Sequence, residues 1–269
     1  MPRAIHHRHK IKPKRSIFKN PVFWWSILFL ILAAAAIYFF FFWQYFQVKN
    51  IQVSGNKDVQ TADLEKMASG EALRKILFFD SKSIFLFDPG KLAASILKDY
   101  PEINSALAQK KFPQTVTVLV SERQPFAIIC GFKDDPTDLC FLMDEKGIIF
   151  KETSIEDPSL VLVQQHGDVQ PKLGDEIIDS QVMAGISRIK QDMEKDFNPL
   201  DIVKADIVSA GRMDVTTNEG WLAYFDLSSD MNLQVTKLSL LLEKTFPKPE
   251  DRAKLHYIDL RFENKAYYK

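Results

Sequence analysis

The stretch that decides the fold is an alternating run near the middle of the chain, Thr115-Val116-Thr117-Val118-Leu119-Val120. Its valines recur at every second position, which is the period of a β-strand with one buried face. We therefore expect a strand at 115–122 that buries Val116, Val118 and Val120. A second strand is predicted just before it, at 103–109.

Two helices and one more strand are predicted upstream of this pair. The strand covers 48–53 and ends at the turn Ser54-Gly55-Asn56, where glycine can adopt a positive φ. One helix begins at Thr61, which can cap it. The other is capped by Asp88 and has Pro89 in its first helical position. The order β-α-α-β-β predicts an α+β domain in which two helices cover a three-stranded sheet.

The N-terminal part contains a segment that is apolar over the whole length of a membrane span. Residues Val22 to Trp43 carry no charged side chain, and as a helix they span about 33 Å, the thickness of a hydrocarbon core. Aromatic residues stand at both ends, as membrane interfaces favour. We predict a transmembrane helix at 21–46. The alternative is a cleaved secretory signal ending near Ala33–Ala36, but the apolar run continues beyond those alanines and is too long for one.

The preceding tail, residues 1–20, is strongly basic. It carries seven Lys and Arg and no Asp or Glu, which leaves 28 basic against 35 acidic residues in the rest of the chain. The positive-inside rule therefore places the tail in the cytoplasm and everything after Tyr45 outside. The acidic balance of the larger part argues against nucleic acid as its partner. We interpret His6, His7 and His9 as part of the basic tail rather than as a metal site.

From Pro125 onward the chain is predicted to form a second, mixed β-sheet domain with flanking helices. Short apolar runs at 127–130 and 139–143 flank a polar turn at 133–138, and 143–150 has the pattern of a hairpin. One long helix is predicted from an apolar stripe at helical spacing: Val182, Ile186, Ile189, Met193 and Phe197. After it we expect strands at 202–208, 212–217 and 221–226, a helix with Leu238, Leu242 and Phe246, and a terminal strand at 257–262.

Several of these segments resemble the FtsQ/DivIB cell-division family. The most specific is Ser121-Glu122-Arg123-Gln124-Pro125-Phe126-Ala127, supported by Ile51-x-Val53-x-Gly55-Asn56 and by the Asp144-x-x-Gly147-x-x-Phe150 hairpin. The terminal Tyr257-Ile258-Asp259-Leu260-Arg261-Phe262 is similar to the last strand of that family's β-domain.

The resemblance implies a domain order that covers the whole chain. A basic cytoplasmic tail at 1–20 and a transmembrane helix at 21–46 precede a POTRA domain at 47–124 and an FtsQ-type β-domain at 125–269. The segment 71–82 is longer than the family pattern needs, and an extra helical turn and a mobile loop remain alternatives there.

The resemblance also implies a function. The chain is expected to be a non-enzymatic divisome scaffold in the cell membrane, placed at the division septum, that recruits other septal membrane proteins. FtsB/FtsL-type proteins are the expected partners, besides the bilayer around 22–43, and no small-molecule substrate is expected. A POTRA-bearing translocation or secretion component is one alternative, and a membrane-tethered hydrolase with an unrecognised site is another.

Motifs of enzymes and metal sites are absent from the sequence. His166 and His256, the histidines outside the tail, stand in no metal-ligand spacing, and there is neither a nucleophile elbow nor a glycine-rich phosphate loop. The acidic cluster Asp134, Asp135 and Asp138 lacks the spacing of a calcium loop and is interpreted as a solvated turn. We therefore predict no catalytic, cofactor-binding or metal-binding residues.

Two cysteines, Cys130 and Cys140, flank the predicted polar turn after the first β-domain strand. An extracytoplasmic location permits a disulfide across this hairpin, which would stabilise the fold by about 3 kcal/mol in the chain-entropy model. Two buried free thiols are the alternative. We favour the disulfide.

The terminal strand supplies the predicted partner-binding residues. Alternation places Ile258, Leu260 and Phe262 on an inward face. Arg261 is expected to project toward a partner carboxylate, and the strand is expected to have no further segment of its own to pair with, so that its edge invites an added strand. Tyr267 and Tyr268 add aromatic rings typical of interfaces. The alternative is that Asp259 and Arg261 pair with each other.

Overall fold

The computed structural model describes residues 20–76, 78–130, 140–153, 159–165 and 172–269. The tail with its three histidines, the turn at 133–138 with its acidic cluster and His166 lie outside the described residues. The chain divides into two compact units. The first comprises the residues up to Val53 together with Ala62–Leu92 and Ala108–Val118, and the second comprises Ser54–Thr61, Ala93–Leu107 and Leu119–Lys269.

The apolar N-terminal segment forms one long helix, α1, from Pro21 to Phe42. Asn20 caps it, because its side-chain oxygen accepts a hydrogen bond from the backbone N–H of Val22. No residue of α1 is buried, and within the described residues it is the one helix long and apolar enough to cross a membrane. The helix begins at the first residue of the predicted span 21–46 and ends four residues before its last, and a short 3-10 turn follows at Gln44–Phe46.

The first sheet has three strands in the order β1-β5-β4. Two helices and a small hairpin are inserted between its strands along the chain: β1 Asn50–Ser54, α2 Thr61–Ala72, β2 Arg74–Ile76, β3 Phe79–Ser81, α3 Pro89–Asp99, β4 Ile103–Lys111 and β5 Thr115–Glu122. The predicted β-α-α-β-β order and the α+β class are confirmed. The alternating valines of β5 bury one face, since Val116, Val118 and Val120 are each at most 3% exposed.

The two helix starts differ in how they are capped. Asp88 caps α3 as predicted, because its Oδ1 accepts hydrogen bonds from the backbone N–H groups of Gly90 and Lys91. Thr61 instead is the first residue of α2, and its hydroxyl accepts a hydrogen bond from the side chain of Asn56.

The segment 71–82 is neither of the two predicted alternatives. Strands β2 and β3 pair there as an antiparallel hairpin, with Arg74 opposite Ser81 and Ile76 opposite Phe79. The serine hydroxyls of Ser81 and Ser83 donate to carbonyls of the last turn of α1. Because these contacts join residues about 40 positions apart, the local sequence carries no signal of them.

The second sheet has nine strands in the order β14-β13-β12-β11-β10-β9-β6-β7-β8. It is mixed, with parallel pairs at β6–β9, β9–β10 and β12–β13 and antiparallel pairs elsewhere. Its strands are β6 Ala127–Ile129, β7 Cys140–Met143, β8 Ile149–Thr153, β9 Val161–Gln165, β10 Ile202–Ser209, β11 Arg212–Thr217, β12 Leu222–Phe225, β13 Tyr257–Asp259 and β14 Tyr267–Tyr268.

Two helices cover one face of this sheet, namely α4 Ser180–Asp196 and α5 Met231–Lys244, and the short α6 Pro249–Arg252 follows α5 in the chain. The predicted stripe of α4 packs into the core, with Ile186, Ile189 and Met193 at most 1% exposed. Phe246, predicted in the last long helix, lies two residues beyond its end and packs against the core from there. The helices therefore supply the second layer that the alternating strands need to bury their apolar face.

Arg123 fixes the short passage from β5 to β6. Its backbone N–H donates to the carbonyl of Glu102 at 2.7 Å and its Nε donates to the carbonyl of Pro101 at 2.9 Å. Its Nη1 forms an ion pair with Oδ2 of Asp144 at 2.5 Å. The other oxygen of Asp144 accepts the backbone N–H groups of Lys146 and Ile148 in the β7–β8 turn.

Glu122, the preceding residue, holds a second loop in place. Its carboxylate accepts the backbone N–H groups of Lys57, Asp58 and Val59 at distances between 2.7 and 3.1 Å. Burial tends to raise the pKa of Glu122, but these backbone hydrogen bonds outweigh burial and lower it. Adjacent acidic and basic side chains in the Ser121–Ala127 motif thus tie β5 to two separate turns.

We predict that Asp144→Asn lowers the free energy of unfolding by about 3 kcal/mol, because it leaves the largely buried Arg123 guanidinium without its counter-charge. The side chains of Arg123 and Asp144 are only 12% and 9% exposed. Chemical denaturation of the folded protein in detergent measures the change.

A matched control is available in the same unit. Lys151 and Asp58 also form a long-range ion pair, but their side chains are 49% and 72% exposed, so Lys151→Ala is expected to cost less than about 1 kcal/mol. Equal effects of the two substitutions would contradict the role given to Arg123.

Candidate partner-binding edge at the C-terminus

The terminal strand β13 lies inside the sheet and not at its edge. It runs parallel to β12 on one side and antiparallel to β14 on the other, with Ile258 opposite Tyr268 and Asp259 opposite Tyr267. The prediction that this strand has no further segment to pair with is wrong. The chain reverses after Phe262, so its own last residues supply the partner, and β14 becomes the edge of the sheet.

The backbone pattern shows which groups of β14 face outward. Tyr257 and Lys269 exchange two backbone hydrogen bonds, of 3.4 and 3.2 Å. In an antiparallel pair, hydrogen-bonded positions alternate with positions whose N–H and C=O point to the other side. Tyr268 therefore turns its backbone N–H and C=O away from β13, toward the open side of the edge.

The apolar face of β13 is only partly as predicted. Ile258 and Leu260 are completely buried, but Phe262 is 48% exposed. The strand ends at Asp259, so its alternation does not extend to Phe262. The Phe262 ring instead packs edge to face on Tyr267, with the centroids 4.9 Å apart.

Arg261 is engaged within the chain. Its Nε and Nη2 bind the two carboxylate oxygens of Asp259 at 2.9 and 2.6 Å, which is the alternative considered for this pair. The Arg261 guanidinium lowers the pKa of Asp259 through these hydrogen bonds, although burial opposes the shift. The same hydrogen bonds raise the pKa of Arg261.

Asp259 belongs to a row of side chains across the open face of the sheet. Asp214, Tyr224, Asp259 and Tyr267 lie opposite one another on β11, β12, β13 and β14. The guanidinium groups of Arg212 and Arg261 lie 4.9 and 5.6 Å from the centre of the Tyr224 ring. Both are cation–π distances.

The row contains two arginine–aspartate pairs. Arg212 binds Asp214 as Arg261 binds Asp259, and the hydrogen bond with Asp214 raises the pKa of Arg212. A general acid or base needs a pKa near the working pH. The pKa of Asp259 is lowered and the pKa values of Arg212 and Arg261 are raised, so these groups stay charged at neutral pH.

Two tyrosines and a neighbouring groove complete the edge. Tyr267 and Tyr268 are 49% and 52% exposed, and Tyr268 packs edge to face on Phe246 with the centroids 5.1 Å apart. Lys237 of α5 donates to the carbonyls of Leu260 and Phe262, which fixes the reversal of the chain. Beside it lies a cavity of about 290 Å³ lined by Lys237, Leu240, Leu241, Lys244, Thr245 and 264–266.

The cysteines and acidic residues add no second site. The structure joins Cys130 and Cys140 by a disulfide with a Cα–Cα distance of 4.3 Å, between the end of β6 and the start of β7. No group of three or more His, Cys, Asp or Glu residues that suits a metal ion occurs within the described part of the chain. The sequence pointed to Arg261, Phe262 and the tyrosines, but it missed Tyr224, Arg212 and Lys237. The strand order brings Tyr224 and Arg212 beside them, and the packing of α5 brings Lys237.

We predict that the Asp259–Arg261 pair makes a pH-dependent contribution to stability of about 1 kcal/mol. Because the folded pKa of Asp259 is lowered, the contribution is present above its unfolded pKa, near 4, and is lost as pH falls through the folded value. The free energy of unfolding of the wild type should therefore exceed that of Asp259→Asn at pH 7, and the difference should shrink below about pH 4. The control is Glu243→Gln, whose pair with Lys244 is 60–71% exposed. A difference for Asp259→Asn that does not change with pH would contradict the prediction.

Comparison with known proteins agrees with the resemblance. The family described as "POTRA domain, FtsQ-type" matches residues 46–123. The chain is 27% identical over 165 residues to the cell division protein DivIB of Clostridium acetobutylicum, an alignment that covers 61% of this chain and 60% of that relative. The two matches together support the predicted resemblance: the chain contains a region that matches an FtsQ-type POTRA domain, and it is similar over part of its length to a cell division protein DivIB.

Proposed function

We propose that this protein is a non-enzymatic scaffold of the division machinery, which recruits other septal membrane proteins through its extracytoplasmic domains. The observation that carries the proposal is the open edge of the nine-stranded sheet. Tyr268 presents its backbone groups there, and two half-exposed tyrosines and Phe262 surround them. Edges of this kind are completed by a strand from another protein.

In recognition by strand addition, backbone hydrogen bonds supply affinity and side-chain contacts supply specificity. The backbone of Tyr268 would pair with the added strand, while the exposed rings of Phe262, Tyr267 and Tyr268 would receive its apolar side chains. The side chain of Arg261 is 34% exposed, although its Nε and Nη2 donate hydrogen bonds to Asp259. We assign its remaining nitrogen, Nη1, to a carboxylate of the partner.

The resemblance names the class of partner. FtsB/FtsL-type membrane proteins are the recruited partners in this proposal, and the lysine-lined groove beside β14 would accommodate a further acidic segment of such a partner. We also propose the following domain order along the chain: a basic tail at 1–20, a membrane span at 21–46, a POTRA domain at 47–124 and a β-domain at 125–269.

The second candidate, a POTRA-bearing secretion component, shares the POTRA domain but not the septal location. A fluorescent fusion of the whole chain distinguishes the two. A band at midcell during constriction supports the division scaffold, and an even distribution around the cell supports the secretion component.

For orientation, we predict that protease added to spheroplasts or protoplasts digests the part after Tyr45 and spares the tail at 1–20. Immunoblots against tags at the two ends measure the outcome, and a lysed sample serves as the control. Protection of the C-terminal tag in intact cells would contradict the cytoplasmic placement of the tail.

For partner capture, we predict that Tyr268→Pro abolishes co-purification of the FtsB/FtsL-type partner, because proline removes the outward backbone N–H of the edge. The inward bonds between β13 and β14 belong to neighbouring positions, so thermal unfolding should change little. Loss of capture by about tenfold or more corresponds to at least about 1.4 kcal/mol.

The control for this experiment is Tyr268→Phe, which keeps both the backbone donor and the ring. It should bind like the wild type, whereas Phe262→Ser and Arg261→Glu should weaken capture through their side chains. Leu107→Ser, at a residue that is 52% exposed on β4, tests for general effects of removing a surface apolar group. Wild-type capture by Tyr268→Pro would exclude strand addition at β14.

A further inference from the structure

The hairpin β2–β3 exposes large aromatic side chains beside the end of α1. Phe78 is 89% exposed and Phe79 is 65% exposed. Phe85 and Phe112 are 38% and 56% exposed, and their ring centroids lie 5.5 Å apart. Contiguous exposed apolar groups of this size mark a surface that is covered by something other than water.

The end of α1 is fixed to this hairpin by side-chain hydrogen bonds. Carbonyls at the C-terminal end of a helix have no partner within the helix. Here Ser81 and Gln47 donate to the carbonyl of Phe41, and Ser83 donates to that of Phe40. The helix is therefore continued into the hairpin by a rigid junction, and not by a flexible linker.

Aromatic contacts continue from α1 onto the hairpin and its surroundings. Phe42, the last residue of α1, lies 6.0 Å from Phe79 between ring centroids. Phe40 lies 5.4 Å from Phe85, and Phe46 lies 5.1 Å from Phe85. These distances set the depth of the hairpin, because a helix rises only 1.5 Å per residue. Rings in contact with Phe40 and Phe42 lie at the level of the last turn of the span.

Lysines border the same surface. Lys75 and Lys82 are exposed on and beside the hairpin, and Nζ of Lys110 donates to the carbonyl of Phe85 at 3.2 Å. Aromatic rings with flanking lysines are the composition of the membrane interface, where rings lie among the headgroups and ammonium groups meet lipid phosphates.

We propose that the β2–β3 hairpin, together with Phe85 and Phe112, inserts into the outer interface of the bilayer that α1 spans. The occupant of this apolar surface is lipid, and the depth is about 5–10 Å below the headgroup surface. The hairpin thereby holds the first unit against the membrane and restricts its rotation about α1. This proposal rests on the membrane span alone and not on partner capture by β14.

The test places an environment-sensitive fluorophore on the hairpin of the full chain. Phe78→Cys and, separately, Phe112→Cys are labelled with the NBD fluorophore and reconstituted in phosphatidylcholine vesicles. Both native cysteines are in the disulfide, so labelling is selective. Vesicles with lipids brominated in the upper acyl chain should quench both labels severalfold more than a label at Leu119→Cys, a residue that is 54% exposed on β5. Aqueous iodide should show the opposite order.

The remaining outcomes overturn the proposal. Lipid is excluded as the occupant if iodide quenches the label at Phe78 as strongly as the label at Leu119 and brominated lipid has no effect. The transmembrane segment of another protein would then be the remaining occupant. Emission that changes with the protein-to-lipid ratio would indicate a second copy of this chain instead. Partner capture is unaffected by either result, so the two proposals fail separately.

Discussion

The three-stranded and the nine-stranded sheet are joined by only four residues, 123–126, and the ion pair between Arg123 and Asp144 fixes the course of the chain through these residues. Strand β6 follows at once and lies in the interior of the nine-stranded sheet, between β9 and β7. A change of direction at Arg123 would therefore displace a fully buried strand. Glu122 and Arg123 act together here. The carboxylate of Glu122 accepts three backbone N–H groups, and the guanidinium of Arg123 binds one carbonyl and one carboxylate while its backbone N–H donates to a second carbonyl.

Features that depend on neighbours in sequence were predictable. The alternation at 115–122, the Asp88-Pro89 helix start and the stripe of α4 each express a local rule of periodicity or capping, and each is confirmed. The hairpin β2–β3 and the return strand β14 were not predictable, because β14 has two residues and β2 and β3 have three each. Strands of this length are too short to show a periodic pattern in the sequence.

The candidate site shows the same division. Tyr267 and Tyr268 were expected to present their rings, but Phe262 was predicted on the inward face and is 48% exposed, and Arg261 binds Asp259, which was the alternative to a partner carboxylate. In the free protein Asp259 binds Arg261, because a bidentate contact between residues two positions apart in the chain costs little side-chain entropy. Tyr224 and Arg212 add to the same face only because β12 and β11 come next in the sheet.

Exposed apolar groups of this protein fall into two classes with different physical explanations. Rings at β14 lie beside outward backbone groups of a strand, and such polar groups need a hydrogen-bonding partner, which water or another protein supplies and a hydrocarbon core does not. Rings around the hairpin β2–β3 lie beside the last turn of α1, where Ser81 and Ser83 donate to the carbonyls of Phe41 and Phe40. These rings therefore adjoin helix carbonyls that already have side-chain donors, whereas the rings at β14 adjoin backbone groups that point away from the sheet. In the two proposals, anchoring accordingly uses a surface next to the membrane span, and recruitment uses a strand edge.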